Sequence, residues 1–174
     1  MSQKAIDSLT NKKPSWRKSL KKEDFDVTLT QKFIESLKIN VVHGGNKSYY
    51  VRPSPAEAFP NHFAGDYIKI PLLIQFNSIN EYYFTLFHEV SHWAEIRVNL
   101  DLKSIEAELV AEIVSNKLCN QFKIKQEVYL NYNFYLNDWI EELKVNKLFV
   151  KQCLKKSNLI LNYLKAENEN AKIY

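Results

Sequence analysis

Between Ile79 and Arg97 the chain carries no Gly or Pro, and Tyr83, Phe84, Phe87, Val90 and Ala94 recur at helical spacing. Ser78 followed by Glu81 matches a capping box, which starts this helix about two turns before His88. Val98 and Asn99 leave the pattern, so the helix is expected to end near Arg97. A second helical stretch opens at Ser104 and continues to about Phe122, with Leu109, Val110 and Ile113 on its core-directed side. The short loop from Asn99 to Leu102 folds this second helix back beside the first. Upstream, Leu29 to Leu37 reads as a short helix with Phe33, Ile34 and Leu37 inward. Val41-Val42 and Tyr49 to Val51 read as strands around Gly44-Gly45-Asn46, a hairpin signal. Pro53, Pro55 and Pro60 mark an irregular loop, and Tyr67 to Ile70 gives a third, alternating strand. Two further helices, near Asn133–Val145 and Lys147–Lys165, are expected to close the core, their Leu and Tyr stripe being packing.

Composition narrows the frame. With 174 residues, 45% apolar and 13% aromatic, one core is expected and two are not. No stretch approaches the ~20 apolar residues of a membrane span, and Met1 is followed by a polar segment rather than a secretory signal. Cys119 and Cys153 fall on predicted helices amid apolar residues and read as buried free thiols of a reducing cytoplasm. The net charge of +4 is unevenly spread. Residues 1–22 hold seven basic side chains against Asp7 alone, a balance of +6 that leaves −2 for the rest. Residues 1–28 are therefore expected to be a basic, flexible arm, solvated or touching nucleic-acid phosphates, before a single domain over 29–174.

The chemistry centres on His-Glu-Val-Ser-His at 88–92. Positions i and i+4 lie one above the other on a helix, so His88 and His92 can share one metal ion. Glu89, rotated by about 100° from His88, can reach a water at the metal without being a ligand. That is the arrangement of a zinc hydrolase, with Glu89 as the catalytic base. The plainer alternative is a hydrogen-bonded, metal-free histidine pair on a buried helix. A catalytic zinc site usually takes three protein ligands. Glu108 and Glu112, four apart on the second helix, can approach the imidazoles, and spacing leaves both open as the third ligand. Glu108 is preferred, with Glu112 hydrogen-bonding the outer nitrogen of a ligand histidine. Glu106 points elsewhere and is expected to be solvated. Zinc is the expected cofactor, with manganese or another divalent metal equally compatible with two histidines and a carboxylate.

Tyr49, Tyr50 and His62 are candidates for steadying a developing oxyanion, and nothing in the spacing selects among them. His43, beside two glycines, reads as a turn residue, and Trp93 as packing the motif helix on the sheet. The segment Asp66 to Leu73 is expected to be the sheet edge that takes extended substrate by strand addition.

His-Glu-Val-Ser-His-Trp at 88–93 with Glu-Leu-Val-Ala-Glu-Ile at 108–113 resembles the metallopeptidase-like domain of the ArdC-type antirestriction family. Ile39 to Tyr50, Asp66-Tyr67-Ile68-Lys69-Ile70-Pro71, Tyr82-Tyr83, Tyr135 to Lys144 and Asn162-Tyr163-Leu164 are similar in the same order, covering about Gln31 to Leu164. The resemblance implies an α+β zincin-like fold in which a small antiparallel or mixed sheet packs on the motif helix, with further helices C-terminal. It also implies a mobile-element or phage setting in which such proteins protect incoming DNA. Full-length members resemble a fusion to an N-terminal single-strand-DNA-binding domain, and the residues before Gln31 are too few to form one. The leading expectation is a cytoplasmic metallopeptidase acting on a peptide or protein. Its alternatives are a DNA-associated antirestriction factor whose metal domain is structural or regulatory, and a non-catalytic interaction domain. Oligomeric state is not legible.

Overall fold

The computed structural model of the protein describes residues 26–52, 65–125 and 133–171. Nearly all of the predicted basic arm, the proline-rich loop and His62 lie outside the described residues. Element order is α1 (Val27–Ser36), β1 (Val41–His43), β2 (Tyr49–Val51), β3 (Tyr67–Ile70), α2 (Ile79–Arg97), α3 (Ser104–Gln121), α4 (Asn133–Val145) and α5 (Phe149–Asn170). The fold is an α+β, zincin-like domain in which a small mixed sheet packs on the motif helix.

Helix α2 forms where its pattern predicts it. The Ser78 hydroxyl accepts from the Glu81 backbone N–H at 3.1 Å, capping the first turn. Glu81 in return accepts from the Asn77 backbone N–H at 2.7 Å, one residue earlier than a strict capping box requires. The helix stops because Asn99 takes the left-handed conformation, φ 53°, and the Leu100 N–H donates to the Glu95 carbonyl at 3.1 Å. That turn sends the chain back, and α3 packs along α2 more extensively than any other pair of elements. Leu86, Phe87, Val90 and Ala94 of α2 meet Val110, Val114 and Leu118 of α3 in the buried core.

The sheet departs from the expected hairpin. Its order is β1-β3-β2, with β1 parallel and β2 antiparallel to β3. Gly44 and Gly45 lie at φ 128° and 79°, a backbone that residues with a Cβ rarely adopt. The Gly44 N–H donates to the Ile70 carbonyl at 2.9 Å and Gln75 Nε2 to the Gly45 carbonyl at 3.0 Å, so the connection wraps the end of β3. Ile68 and Ile70, both fully buried, are thereby placed in the central strand. The expectation that Asp66–Leu73 is the free edge is corrected. β3 has a partner on each side, and among the described residues β2 is the edge that runs beside α2.

Other expectations shift in detail. His43 ends β1 and bonds the Tyr82 hydroxyl at 2.9 Å rather than making a turn. Trp93 packs toward α5, its ring 6.1 Å from that of Tyr163. Glu106 is not a solvated acid, since Lys156 Nζ donates to its carboxylate at 2.5 Å and its side chain is 14% exposed. Helix α5 closes the core with Phe149, Cys153, Ser157, Ile160 and Leu164. Helix α4 does not. Its Trp139 indole donates to the Ile105 carbonyl at 3.1 Å, while Leu136, Ile140 and Leu143 remain exposed. Cys119 and Cys153 are buried free thiols, as expected.

One ion pair ties sheet to helix. Arg97 Nη2 donates to Asp66 Oδ2 at 2.6 Å, and the Tyr50 hydroxyl donates to the same oxygen at 2.9 Å. The guanidinium also stacks over Trp93, 3.8 Å from the ring centroid. The pair's side chains are only 9% and 10% exposed, so removing one partner strands a buried charge. Asp66→Ala is expected to lower unfolding free energy by about 3–5 kcal/mol in urea titration, well beyond a surface-pair loss.

Candidate metal centre

Helix α2 presents His88, His92 and Glu95 along one side and Glu89 beside them, and α3 brings Glu108 and Glu112 against the same face. His88 Nε2 and His92 Nε2 lie 3.2 Å apart. Glu108 spans them, one carboxylate oxygen 3.3 Å from His88 Nε2 and the other 3.7 Å from His92 Nε2. The outer nitrogens are held separately. His88 Nδ1 meets Glu112 Oε1 at 3.2 Å, and His92 Nδ1 meets Glu95 Oε2 at 3.5 Å. The backbone N–H of Tyr50, on edge strand β2, is directed at the Glu89 carboxylate. His88, Glu89, His92, Glu95 and Glu108 line a cleft of about 540 Å³ whose other wall is Ser48, Tyr49, Tyr50 and Arg52.

The charge of this cluster asks for a cation. Glu89, Glu95, Glu108 and Glu112 gather around two imidazoles, and no Lys or Arg is ion-paired to any of the four among the described residues. Burial alone would depress the His88 pKa, yet Glu108 and Glu112 overcome it and raise the value to about 10. The carboxylates thus favour positive charge at His88. Burial opposes ionisation of Glu108 as well, but the bond from His88 wins and its pKa is lowered. Glu89 is raised, chiefly by burial, with the imidazoles pulling the other way. Glu112 Oε2 is buried without a hydrogen-bond partner among the described residues.

Distances test the fit. Ligand bonds of about 2.0–2.2 Å in a tetrahedral site put donor atoms roughly 3.3–3.6 Å apart. The 3.2 Å between the two imidazole nitrogens sits close to that spacing, and one ligand atom from each of His88, His92 and Glu108 lies within 4.8 Å of the others. The donor set accommodates a divalent metal, zinc or manganese. Cys119 stays outside it, its thiol buried and its pKa pushed up to about 12.

A family model described as zincin-like metallopeptidase matches residues 28–154. The chain belongs to that family. Two crystal structures of the antirestriction protein ArdC from plasmid R388 share the fold. The metal-free form has a TM-score of 0.65 at 24% identity and covers 83% of this chain and 52% of that one. The Mn(II)-bound form has a TM-score of 0.68 at 20% identity, covering 86% and 56%. An uncharacterized protein, y4eC, from Sinorhizobium fredii is 25% identical over 150 residues, 81% of this chain and 45% of its own. The chain spans about half the length of these relatives.

The structure brings together every predicted site residue: His88, Glu89, His92, Glu108 and Glu112. Of the oxyanion candidates, Tyr50 is committed to Asp66, while Tyr49 lines the cleft and is exposed. Sequence reasoning missed Glu95, whose only signal is its position three residues after His92. It also missed the Tyr50–Asp66–Arg97 chain, which spans three separate elements. Glu108→Ala is expected to abolish stoichiometric zinc binding, whereas Glu112→Ala weakens it by about 10–100-fold. Metal titration against a chromophoric chelator separates the two, and the opposite order would make Glu112 the ligand.

Proposed function

We propose that the protein is a metal-dependent hydrolase of amide bonds in peptides or proteins, of the ArdC type, with Glu89 as its general base. The observation that carries this reading is the convergence of both Nε2 atoms and the Glu108 carboxylate beside Glu89, at the foot of an open cleft. A divalent cation bound by His88, His92 and Glu108 would supply Lewis acidity, polarising a carbonyl and acidifying a water molecule. Glu89 then accepts the proton of the attacking water and delivers it to the leaving nitrogen. Burial raises the Glu89 pKa, with the imidazoles of His88 and His92 pulling the other way. The Tyr50 N–H directed at Glu89 keeps that carboxylate facing the cleft.

Substrate would lie along β2. The register pairs Tyr50 with Ile68, and the Ile68 N–H is spent on Asn40 of the β1 side. The Tyr50 backbone is thus turned to the free edge, where an extended segment can add alongside β2 next to the N–H given to Glu89. Tyr49, exposed on the same wall, is placed to contact it. The expected setting is the cytoplasm of a cell carrying a mobile element. Restriction-related DNA contact would be a property of the basic segment 1–28 rather than of this cleft.

Mass spectrometry of the native protein should find about one divalent metal per chain, and the His88→Ala/His92→Ala double variant should lose it. Glu89→Gln should keep the metal while cleavage of a peptide library falls about 10²–10⁴-fold. A wild type that stays empty after incubation with zinc and manganese would overturn the hydrolase. A metal-loaded wild type with no cleavage, but with salt-sensitive single-stranded DNA binding lost on deleting 1–28, would favour the DNA-associated reading.

A further inference from the structure

We infer that Glu95 is a positioning residue: it holds His92 in the tautomer that turns its Nε2 lone pair to the metal position. The inference rests on the metal-centre reading above and adds a residue to it. Glu95 follows His92 by three positions on α2, and its Oε2 lies 3.5 Å from His92 Nδ1. The carboxylate is 14% exposed, and among the described residues no lysine or arginine pairs with it. The carboxylate is mostly shielded from water, and the donor it faces is the imidazole N–H at His92 Nδ1.

The tautomer matters because a neutral imidazole carries one N–H and one lone pair. With the proton on Nδ1 and donated to Glu95, the Nε2 lone pair is free toward His88 Nε2 and Glu108. His88 shows the same plan, with Nδ1 on Glu112 and Nε2 at the shared point. The two imidazoles are therefore each backed by a separate carboxylate, one from the same helix and one from its neighbour. Loss of the acceptor at Nδ1 leaves the two tautomers to compete, and the proton on Nε2 then blocks ligation. A carboxylate also makes the ligating nitrogen more basic than a neutral acceptor would.

The test uses the full chain, with zinc as the probe. Long-range proton–nitrogen correlation spectra of the metal-free protein report the His92 tautomer, and chelator competition reports the zinc dissociation constant. Wild type should show His92 protonated at Nδ1. Glu95→Ala should shift it to a mixture and weaken zinc by about 10–100-fold. Glu95→Gln, which retains an acceptor oxygen in the same volume, should keep the tautomer and lose less affinity. A purely structural role would lower thermal stability without moving the tautomer, so melting curves run alongside. His92 protonated at Nε2 in wild type, or an alanine variant unchanged in both readouts, would overturn the inference. A wild type that takes up no zinc would instead defeat the metal centre, and the metal-free spectra would still decide Glu95.

Discussion

Negative charge crowded together and partly shielded from water is the constraint on which the site depends. Four carboxylates crowd two imidazoles on the facing sides of α2 and α3. Buried carboxylates are costly unless something positive meets them. No ion-paired lysine or arginine does so here among the described residues, and His88 responds by holding its proton up to a pKa of about 10. The geometry answers the same demand. Each imidazole turns one nitrogen outward to its own carboxylate and one inward to a common point, so the cluster is organised around a position for a cation.

That organisation needs two helices fixed against each other, and the apolar residues do the fixing. Phe87, Val90 and Ala94 are fully buried on the core side of α2, as are Ala111, Val114 and Cys119 on α3. With those faces committed, the polar faces can meet only along the cleft. The left-handed Asn99 sets the reversal between them, and without it Glu108 would not return to the level of the histidines.

The sequence was most readable where the signal is local. Helix α2, its Ser78 cap, its end at Arg97 and the His88–His92 pair all follow from spacing within one element. Alternation in Tyr67–Ile70 shows which side chains go inward but not which strands become neighbours, and the hairpin reading failed for that reason. Chain proximity favoured β1 with β2, whereas burying Ile68 and Ile70 between two partners won. Glu95 and Glu106 both resembled ordinary surface acids on helices. One is claimed by an imidazole three residues away, the other by Lys156 in a different helix, and only the second lies beyond any local pattern. Helix α4 was legible as a helix, yet its apolar positions did not reveal that, among its described side chains, Trp139 would find the core while Leu136, Ile140 and Leu143 stay exposed.

Moving the free edge from β3 to β2 changes how the sheet serves the cleft. In a strand, side chains alternate between the two faces while backbone groups point along the sheet plane. At Tyr50 these directions lead to two different ends. The side chain reaches the buried Asp66–Arg97 pair, and the backbone N–H reaches Glu89. The contact that anchors the edge strand to the fold therefore also sets where the Glu89 carboxylate finds its donor. A central β3 could not do this, because its backbone groups are spent on β1 and β2. Stability of the sheet edge and orientation of Glu89 are thus two consequences of one residue's place in the register.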